Sequence, residues 1–444
     1  MDRALLAAVS GIDANQTYLD AIGNNIANVN TVGYKAESVD FVDLLTEQIS
    51  GASAPGGPTV GAGVNPMAVG SGVRVGAINT NLTQGSFEQT DVPTDVAIQG
   101  NGYLIALQNG LTYYTRAGDL VLDANGNLAT PTGGLIQGWQ ANANGVIDVN
   151  APTTAIGIPT GQVIAAKATT TIDMGGNLPA NDGTSTTSYN TTINAYDSLG
   201  TQVPVTFTFK PTTTAGEWEL YGSVPSATKG DWNNTELATI QFNPSTGQVQ
   251  TIIKAKDADV TATQNTDGSW NLSVPVPNNA NDGTNYTFPT TDANWTIHFP
   301  SPTSANALTQ FAGQDTAEAD HQDGSAGGVL ESYSIGSNGV ITGSFSNGQT
   351  QALAQIALAD FANPGGLDSV GTTYYTATPN SGAPLIGTPG TGGRGTLVGG
   401  SVEESNVDLA KQLTNLIVAQ EAYEANTKVV TTSATTLQAL MNIP

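Results

Sequence analysis

Apolar residues recur at three- and four-residue spacing at both ends of the chain, and over no comparable stretch between them. At the N-terminal end Leu5, Val9, Ile12, Gln16, Leu19, Gly23 and Ile26 follow a four-three alternation that Val29 continues. Such spacing lays side chains in one stripe along an α-helix. The helix is expected to close between Asn30 and Gly33, where a glycine can take the left-handed conformation that stops a helix. At the other end Leu409, Leu413, Leu416, Gln420, Tyr423, Thr427, Val430, Ala434, Leu437 and Met441 keep the same spacing. Ser405 and Asp408 just ahead read as a capped start. A helix of about 35 residues would extend roughly 50 Å. Both stripes carry interruptions (Gln16, Gly23, Gln420, Thr427), which suit a closely approaching partner and a fixed register at some cost in stability. With no third long amphipathic segment to join, the two helices are expected to pair with each other.

Between them the pattern changes to short alternating runs broken by Gly, Asn, Asp and Pro, the mark of strands and turns. The runs VAIQGNGYLIAL, TYYTRAGDLVLDANGNLAT and GLIQGWQANANGVID form a first group. Their DANG and NANG pairs predict type I′ hairpin turns. A second group begins at TTIDMGGNLPA and includes VPVTFTFK, WELYGSV, TIQFNPSTGQVQ and WTIHFP; a third, from VLESYSIGSNG onward, returns to the texture of the first. The segmentation that follows is an N-terminal helix over 1–35, a connector over 36–69, a host β domain in two parts (70–164 and 326–395), an inserted β domain over 165–325, and a C-terminal helical segment over 396–444. Insertion of one domain into a loop of another is physically easy, because a domain's ends often lie together. The fold class predicted is mostly β with α-helical termini, the discontinuous β domains nested between N- and C-terminal coiled-coil helices.

Composition narrows the function. Apolar residues make up 39% and charged residues only 11%, with 52 glycines; Gly and Asn supply turn positions and Thr tolerates strands. The 37 acidic against 12 basic residues give a net charge of −25, which repels nucleic-acid phosphate and anionic lipid. No nucleic-acid partner and no membrane insertion are expected, and no run of eighteen apolar residues occurs. Cysteine is absent, so disulfides, thiol nucleophiles and cysteine-bound zinc are excluded. The opening MDRALLAAVSGIDA runs into polar helix instead of a cleavage signal, and is expected to stay in the mature chain.

Candidate chemistry is sparse. His298 lies in a strand pattern, and His321 in a turn pattern. Asp320, His321 and Asp323 lack the loop spacing of a calcium site. Glu403 and Glu404 precede the last helix and read as favouring its N-terminal dipole. Asp91, Asp95 and Asp119 read as turn-forming residues. No nucleophile elbow, phosphate loop or dinucleotide fingerprint appears. No catalytic residue, metal ligand or cofactor is predicted.

The segment SGIDANQTYLDAIGNNIANVNTVGYKAESVDF (10–41) closely resembles the shared N-terminal motif of the bacterial flagellar rod and hook proteins, through Ser10, Gly11, Asn24, Asn25, Ile26, Ala27, Asn28, Asn30, Thr31, Gly33, Tyr34 and Lys35. GSFEQTDVPTDVAIQGNGYLIA (85–106) resembles that family's β signature. The C-terminal helix resembles its last segment, notably Ser405, Asn406, Val407, Asp408, Gln420, Tyr423 and Asn426. AYDSLGTQVPVTFTFK and SNGQTQALAQIALADFANPGGL look more like hook than rod segments. The resemblance implies a non-enzymatic subunit that polymerises into a hollow curved tube, transmits torque as a flexible joint and is exported through the flagellar type III apparatus. Its partners would be further copies of itself, rod and hook–filament junction proteins, and transiently a hook cap and the export apparatus, at the extracellular hook on the basal body. The four-three stripes give packing roles to Leu5, Val9, Ile12, Leu19 and Ile26, and to Leu409, Leu413, Leu416, Tyr423, Val430 and Leu437. In the monomer the terminal helices, lacking partners for their stripes, are expected to be poorly ordered. A distal rod subunit and a secreted β-rich adhesin are the competing readings.

Overall fold

The computed structural model describes residues 2–52, 54, 63–158, 161, 163–224, 232, 234–254, 260–276, 294–371 and 373–441. Most of the glycine-rich connector 51–64 lies outside them. The chain forms two compact units, one of Met1–Pro159, Tyr333–Gly343 and Gln351–Pro444, the other of Thr160–Ser332 and Ser344–Thr350.

In the first unit helix α1 (Asp2–Ala27) and helix α2 (Leu409–Met441) pack against one another. Asp408 caps α2, its Oδ1 accepting from Lys411 N at 3.1 Å; this is the side-chain acceptor that the first free N–H groups of a helix need. The helices approach closely at Gly11, where a Cβ would stand 2.7 Å from Asn426 Nδ2. A two-stranded ribbon flanks α1, strand β1 (Glu37–Asp43) running antiparallel to β2 (Val73–Thr80), with Tyr18 of α1 edge-on to Phe41 at 5.6 Å. Ser10 Oγ accepts from Val73 N at 3.2 Å.

The β part of this unit is woven from segments far apart in sequence. Strand β3 (Tyr103–Gln108) forms a hairpin with β4 (Leu111–Thr115), and pairs as well with β5 (Leu135–Gln140) and β6 (Leu358–Asp360). Residues 354–356 close on 138–140. An aromatic cluster of Tyr103, Tyr114, Trp139, Phe361 and Tyr375 fills its interior, the rings meeting edge to face. The DANG and NANG turns differ from expectation: only Gly126 and Gly145 have positive φ, whereas type I′ needs two such residues. Instead Asp123 Oδ1 accepts from Asn125 N and Asn127 N, each at 2.8 Å, and Asn142 Oδ1 accepts from Asn144 N at 2.9 Å and Val146 N at 3.0 Å. Gly126 N donates to Asp123 O at 3.0 Å and Gly145 N to Asn142 O at 2.9 Å, so each loop is a turn followed by one left-handed glycine, the longer hairpin type.

The second unit is built on strict alternation. A five-stranded antiparallel meander runs through Tyr189–Tyr196, Gln202–Pro211, Glu217–Ser223, Thr235–Phe242 and Val249–Lys254. A second sheet centres on Thr171–Leu178, parallel to Asn294–Phe299 and Leu308–Gln310 and antiparallel to Glu318–Gln322. Val203, Val205, Phe207 and Phe209 point inward at every second position and share one core with Trp218, Ile172, Trp295 and Ile297. Period-two patterning with one wet face gives this arrangement. His321 lies exposed in strand Glu318–Gln322, not in a turn. His298 Nδ1 bonds Asn271 Oδ1 at 2.7 Å. The carboxylate of Asp323 accepts from Thr170 N at 2.7 Å, Thr171 N at 2.8 Å and Lys167 Nζ at 3.1 Å.

Candidate functional site

The residues that end α1 build a clasp rather than an active site. Asn28 Nδ2 donates to Asn24 O and Asn24 Oδ1, both at 2.9 Å, and Thr31 Oγ1 donates to Asn28 Oδ1 at 3.1 Å. These side chains satisfy polar groups at the helix end, where backbone carbonyls lose their partners. Ala27 closes the helix, and Ala27 and Asn30 are exposed. Asn25 is 1% exposed. It holds the chain leaving the helix on both sides, donating to Glu37 O and accepting from Glu37 N at 2.8 Å each, and also accepts from Tyr34 Oη at 3.1 Å. Burial, with the Glu37 charge behind it, pushes the Tyr34 phenol up to about 12.

Gly33 makes the turn possible. Its φ is +70°, and a Cβ there would fall 2.5 Å from Ala117 N; L side chains are disfavoured there twice over. Its N–H donates to Glu403 O at 2.7 Å. That contact leads to the centre of the clasp. Lys35 Nζ lies 2.6 Å from Glu403 Oε1 and Arg116 Nη1 3.3 Å from Glu403 Oε2, with the Lys35 and Glu403 side chains 1% and 0% exposed. Gly85 N donates to the same carboxylate at 2.9 Å, Lys35 Nζ also donates to Thr83 O at 2.8 Å, and Arg116 Nη2 donates to Gly100 O at 2.6 Å. Arg116 stacks over Tyr103, 5.5 Å from the ring centre. Burial pulls the Lys35 pKa below the usual lysine value, opposed by its bond to and the charge of Glu403 and joined by repulsion from Arg116.

Asn406 completes the clasp from the side of α2. It accepts from Ala36 N at 2.8 Å and donates to Asn81 O at 2.8 Å and Thr83 O at 2.9 Å. Strand Ser401–Glu403 pairs with Phe87–Gln89, and Thr396–Gly399 with Val96–Gln99. One polar knot therefore joins the exit of α1, the β sheet and the entry to α2.

Sequence reasoning placed Glu403 at the dipole of α2. The structure corrects this: Glu403 is a buried strand residue that neutralises two cations. Arg116, the second of these cations, belongs to no motif in the sequence. The available signal was scarcity, since a basic residue in a chain this acidic demands a reason, but its carboxylate lies 287 positions away.

The predicted helix residues fall in two groups. On α2 the face turned inward carries Gln412, Leu416, Ala419, Tyr423, Asn426, Val430, Ser433 and Leu437, a four-three alternation offset from the predicted one. Leu416, Tyr423, Val430 and Leu437 are half-buried on it. Leu409 and Leu413 are exposed, as are Ile417 and Val418. On α1 the buried positions are Ala8, Gly11, Ala14, Ala21, Ile22 and Asn25. Leu5, Ile12, Leu19 and Ile26 are half-buried and Val9 exposed. Small residues thus occupy four of these six buried positions on α1, with Ile22 and Asn25 the larger two, and much of the larger apolar surface stays outside.

Comparison with known proteins fits this anatomy. Four family descriptions match: "Flagella basal body rod protein" over 5–35, "Flagellar hook protein FlgE/F/G D1 domain" over 97–180, "Flagellar basal body protein FlaE D2 domain" over 165–325 and "Flagellar basal body rod FlgEFG protein C-terminal" over 398–443. The flagellar hook protein FlgE of Treponema pallidum is 36% identical, with 100% of each chain covered. The chain belongs to the flagellar hook protein FlgE family. FlgE of Borreliella burgdorferi is 35% identical, again over 100% of both chains, and that of Escherichia coli 35% identical over 99% of this chain and 100% of its own. The family-wide rod motif ends at residue 35, on the clasp lysine, and the C-terminal match begins at 398, just before the clasp glutamate. Among the described residues no group of three or more His, Cys, Asp or Glu is placed to hold a metal.

Proposed function

We infer that this chain is the structural subunit of a bacterial flagellar hook, polymerising helically into a hollow curved tube that couples the rod to the filament and passes torque as a flexible joint. The observation that carries this is the paired end helices with apolar side chains left outside: Leu409, Leu413, Ile417 and Val418 on α2, Leu6 and Val9 on α1. Exposed apolar surface of this extent on one helix pair is covered by association, and a contact between different patches of identical copies builds open helical assemblies. The clasp serves this assembly by fixing the helix pair to the β sheet, so that force on one reaches the other through buried bonds. The packing role of Leu5, Val9, Ile12, Leu19, Ile26, Leu409, Leu413, Leu416, Tyr423, Val430 and Leu437 is then shared between the intramolecular seam and neighbouring copies.

The further partners are the rod and hook–filament junction proteins, with the hook cap and export apparatus engaged transiently, and the place of action is the extracellular hook on the basal body. In this reading the 1–35 and 396–444 segments make the inner core domain, 36–69 a connector, 70–164 with 326–395 a host β domain and 165–325 the inserted outer β domain. Electron microscopy of filaments assembled from the purified chain tests the reading: curved hollow tubes are expected, and straight rods or no polymer would overturn it. Hydrogen exchange adds residue detail, with 5–30 and 409–437 expected to gain protection on polymerisation.

A further inference from the structure

Beside the clasp lies a small pocket of about 160 Å³ whose lining includes Thr31, Val32, Ala117, Asp119, Pro131 and Tyr374. Its walls are of two kinds. Val32, Ala117 and Pro131 offer apolar contact, while the Tyr374 hydroxyl shares its hydrogen bonds with Thr130 and Thr132. The one ionisable acid in the lining is Asp119, and it is half-buried.

Sequence patterning reads Asp119 as a turn residue, yet among the described residues no basic side chain pairs with its carboxylate. Burial raises its proton affinity and the charge of Asp95 adds to this. The ion pairs among the described residues employ Glu47, Glu403 and Asp323 instead. A half-buried carboxylate without a counter-charge is costly, and a cation delivered to it gains.

We propose that this pocket receives a Lys or Arg side chain from a second copy of the chain, the aliphatic stem lying on Val32, Ala117 and Pro131 and the charged end meeting Asp119. Long basic side chains are amphipathic in this manner. The volume exceeds what a lone monovalent ion fills, and no second carboxylate lines the pocket to hold a divalent one. Suitable donors exist. Among the described side chains Arg74, Lys411 and Lys428 are exposed and make no hydrogen bond or ion pair, and all three belong to the unit that carries the exposed helix faces. The proposal rests on the polymer-forming reading above.

The test uses the full-length chain and its critical concentration for polymerisation. D119N is expected to melt no lower than the wild type as a monomer and to raise that concentration about tenfold, the scale of one charge-assisted hydrogen bond. One of R74Q, K411Q and K428Q should reproduce the rise, and combining it with D119N should add nothing further. Those three positions are exposed, so they carry the test even if D119N folds poorly. Wild-type polymers matched by D119N, or by all three basic variants, would overturn the pocket's role while leaving the hook reading intact. A wild-type chain that forms no polymer overturns both. An unchanged critical concentration with sodium bound at Asp119 would mark the pocket as a simple ion site.

Discussion

Replacing Glu403 by Gln tests whether the clasp is held by charge balance or merely by shape. In the wild type two cations, Lys35 and Arg116, surround one carboxylate that also accepts from Gly85 N. Glutamine keeps the volume but has one acceptor oxygen. If that oxygen faces Lys35 and Gly85, its amide meets the Arg116 guanidinium; turned around, the amide meets an ammonium and an N–H. Either way two buried cations lose their counter-charge, and breaking a buried pair in this way costs about 3–5 kcal/mol.

Lys35→Met is the matching control. It leaves one cation with one carboxylate, Gly85 N still bonded, and Thr83 O still served by Asn406, so it should cost only about 1–2 kcal/mol. Scanning calorimetry follows both, with the strand-rich second unit as internal reference because it contains none of these residues. For a unit of this size the Gln variant should lower the first unit's melting by roughly 6 °C or more. Its penalty should also shrink as pH rises toward 10, because an unbalanced Lys35, already lowered by burial, can shed its proton. Equal costs for the two variants at neutral pH would refute the charge-balance argument.

Other outcomes follow from single geometries. Asn25→Ala should cost about 2–4 kcal/mol in urea unfolding, since it strands Glu37 N, Glu37 O and Tyr34 Oη together; a loss below 1 kcal/mol, by the same reckoning, would mean water replaces the amide. Gly11→Leu should separate α1 from α2, because even a Cβ meets Asn426, and it should abolish tube formation by microscopy while circular dichroism of the β domains stays the same. Acid should weaken the second unit through Asp323. Although burial raises the Asp323 pKa, the hydroxyl of Thr170 and the N–H groups of Thr171 and Thr170 outweigh it and hold the value at about 2. The folded carboxylate therefore stays ionised below 3.8, and the stability it contributes, present above that pH, is lost as pH falls toward about 2. Asp323→Asn should flatten this stretch of the acid melt, and an unchanged slope would count against it.

Much of the architecture was legible in the residues themselves. Four-three spacing at the ends and period-two alternation between them are local consequences of helix and strand geometry. Helix α2 stands where the spacing put it, α1 ends at Ala27, short of the expected Asn30–Gly33, and strands Glu37–Asp43 and Ser401–Glu403 lie where no strand was expected. The motif around Asn24–Lys35 marked its own importance by resemblance. Its mechanics stayed hidden, because Asn25 works on Glu37 while Lys35 works on a residue 368 positions away.

Which face of a helix turns inward is a property of the pair. Counting from Leu409 or from Gln412 gives four-three series that share Leu416, Tyr423, Val430 and Leu437. The side presented to α1 favours Ala419 and Asn426, because close approach at Gly11 admits only what fits there. The sequence by itself determined the two terminal helices and the strand-rich character of what lies between them. Tertiary structure alone decided that Glu403 became a buried counter-ion and Asp119 an unpaired one, since the charge each carboxylate meets depends on segments brought together only by folding.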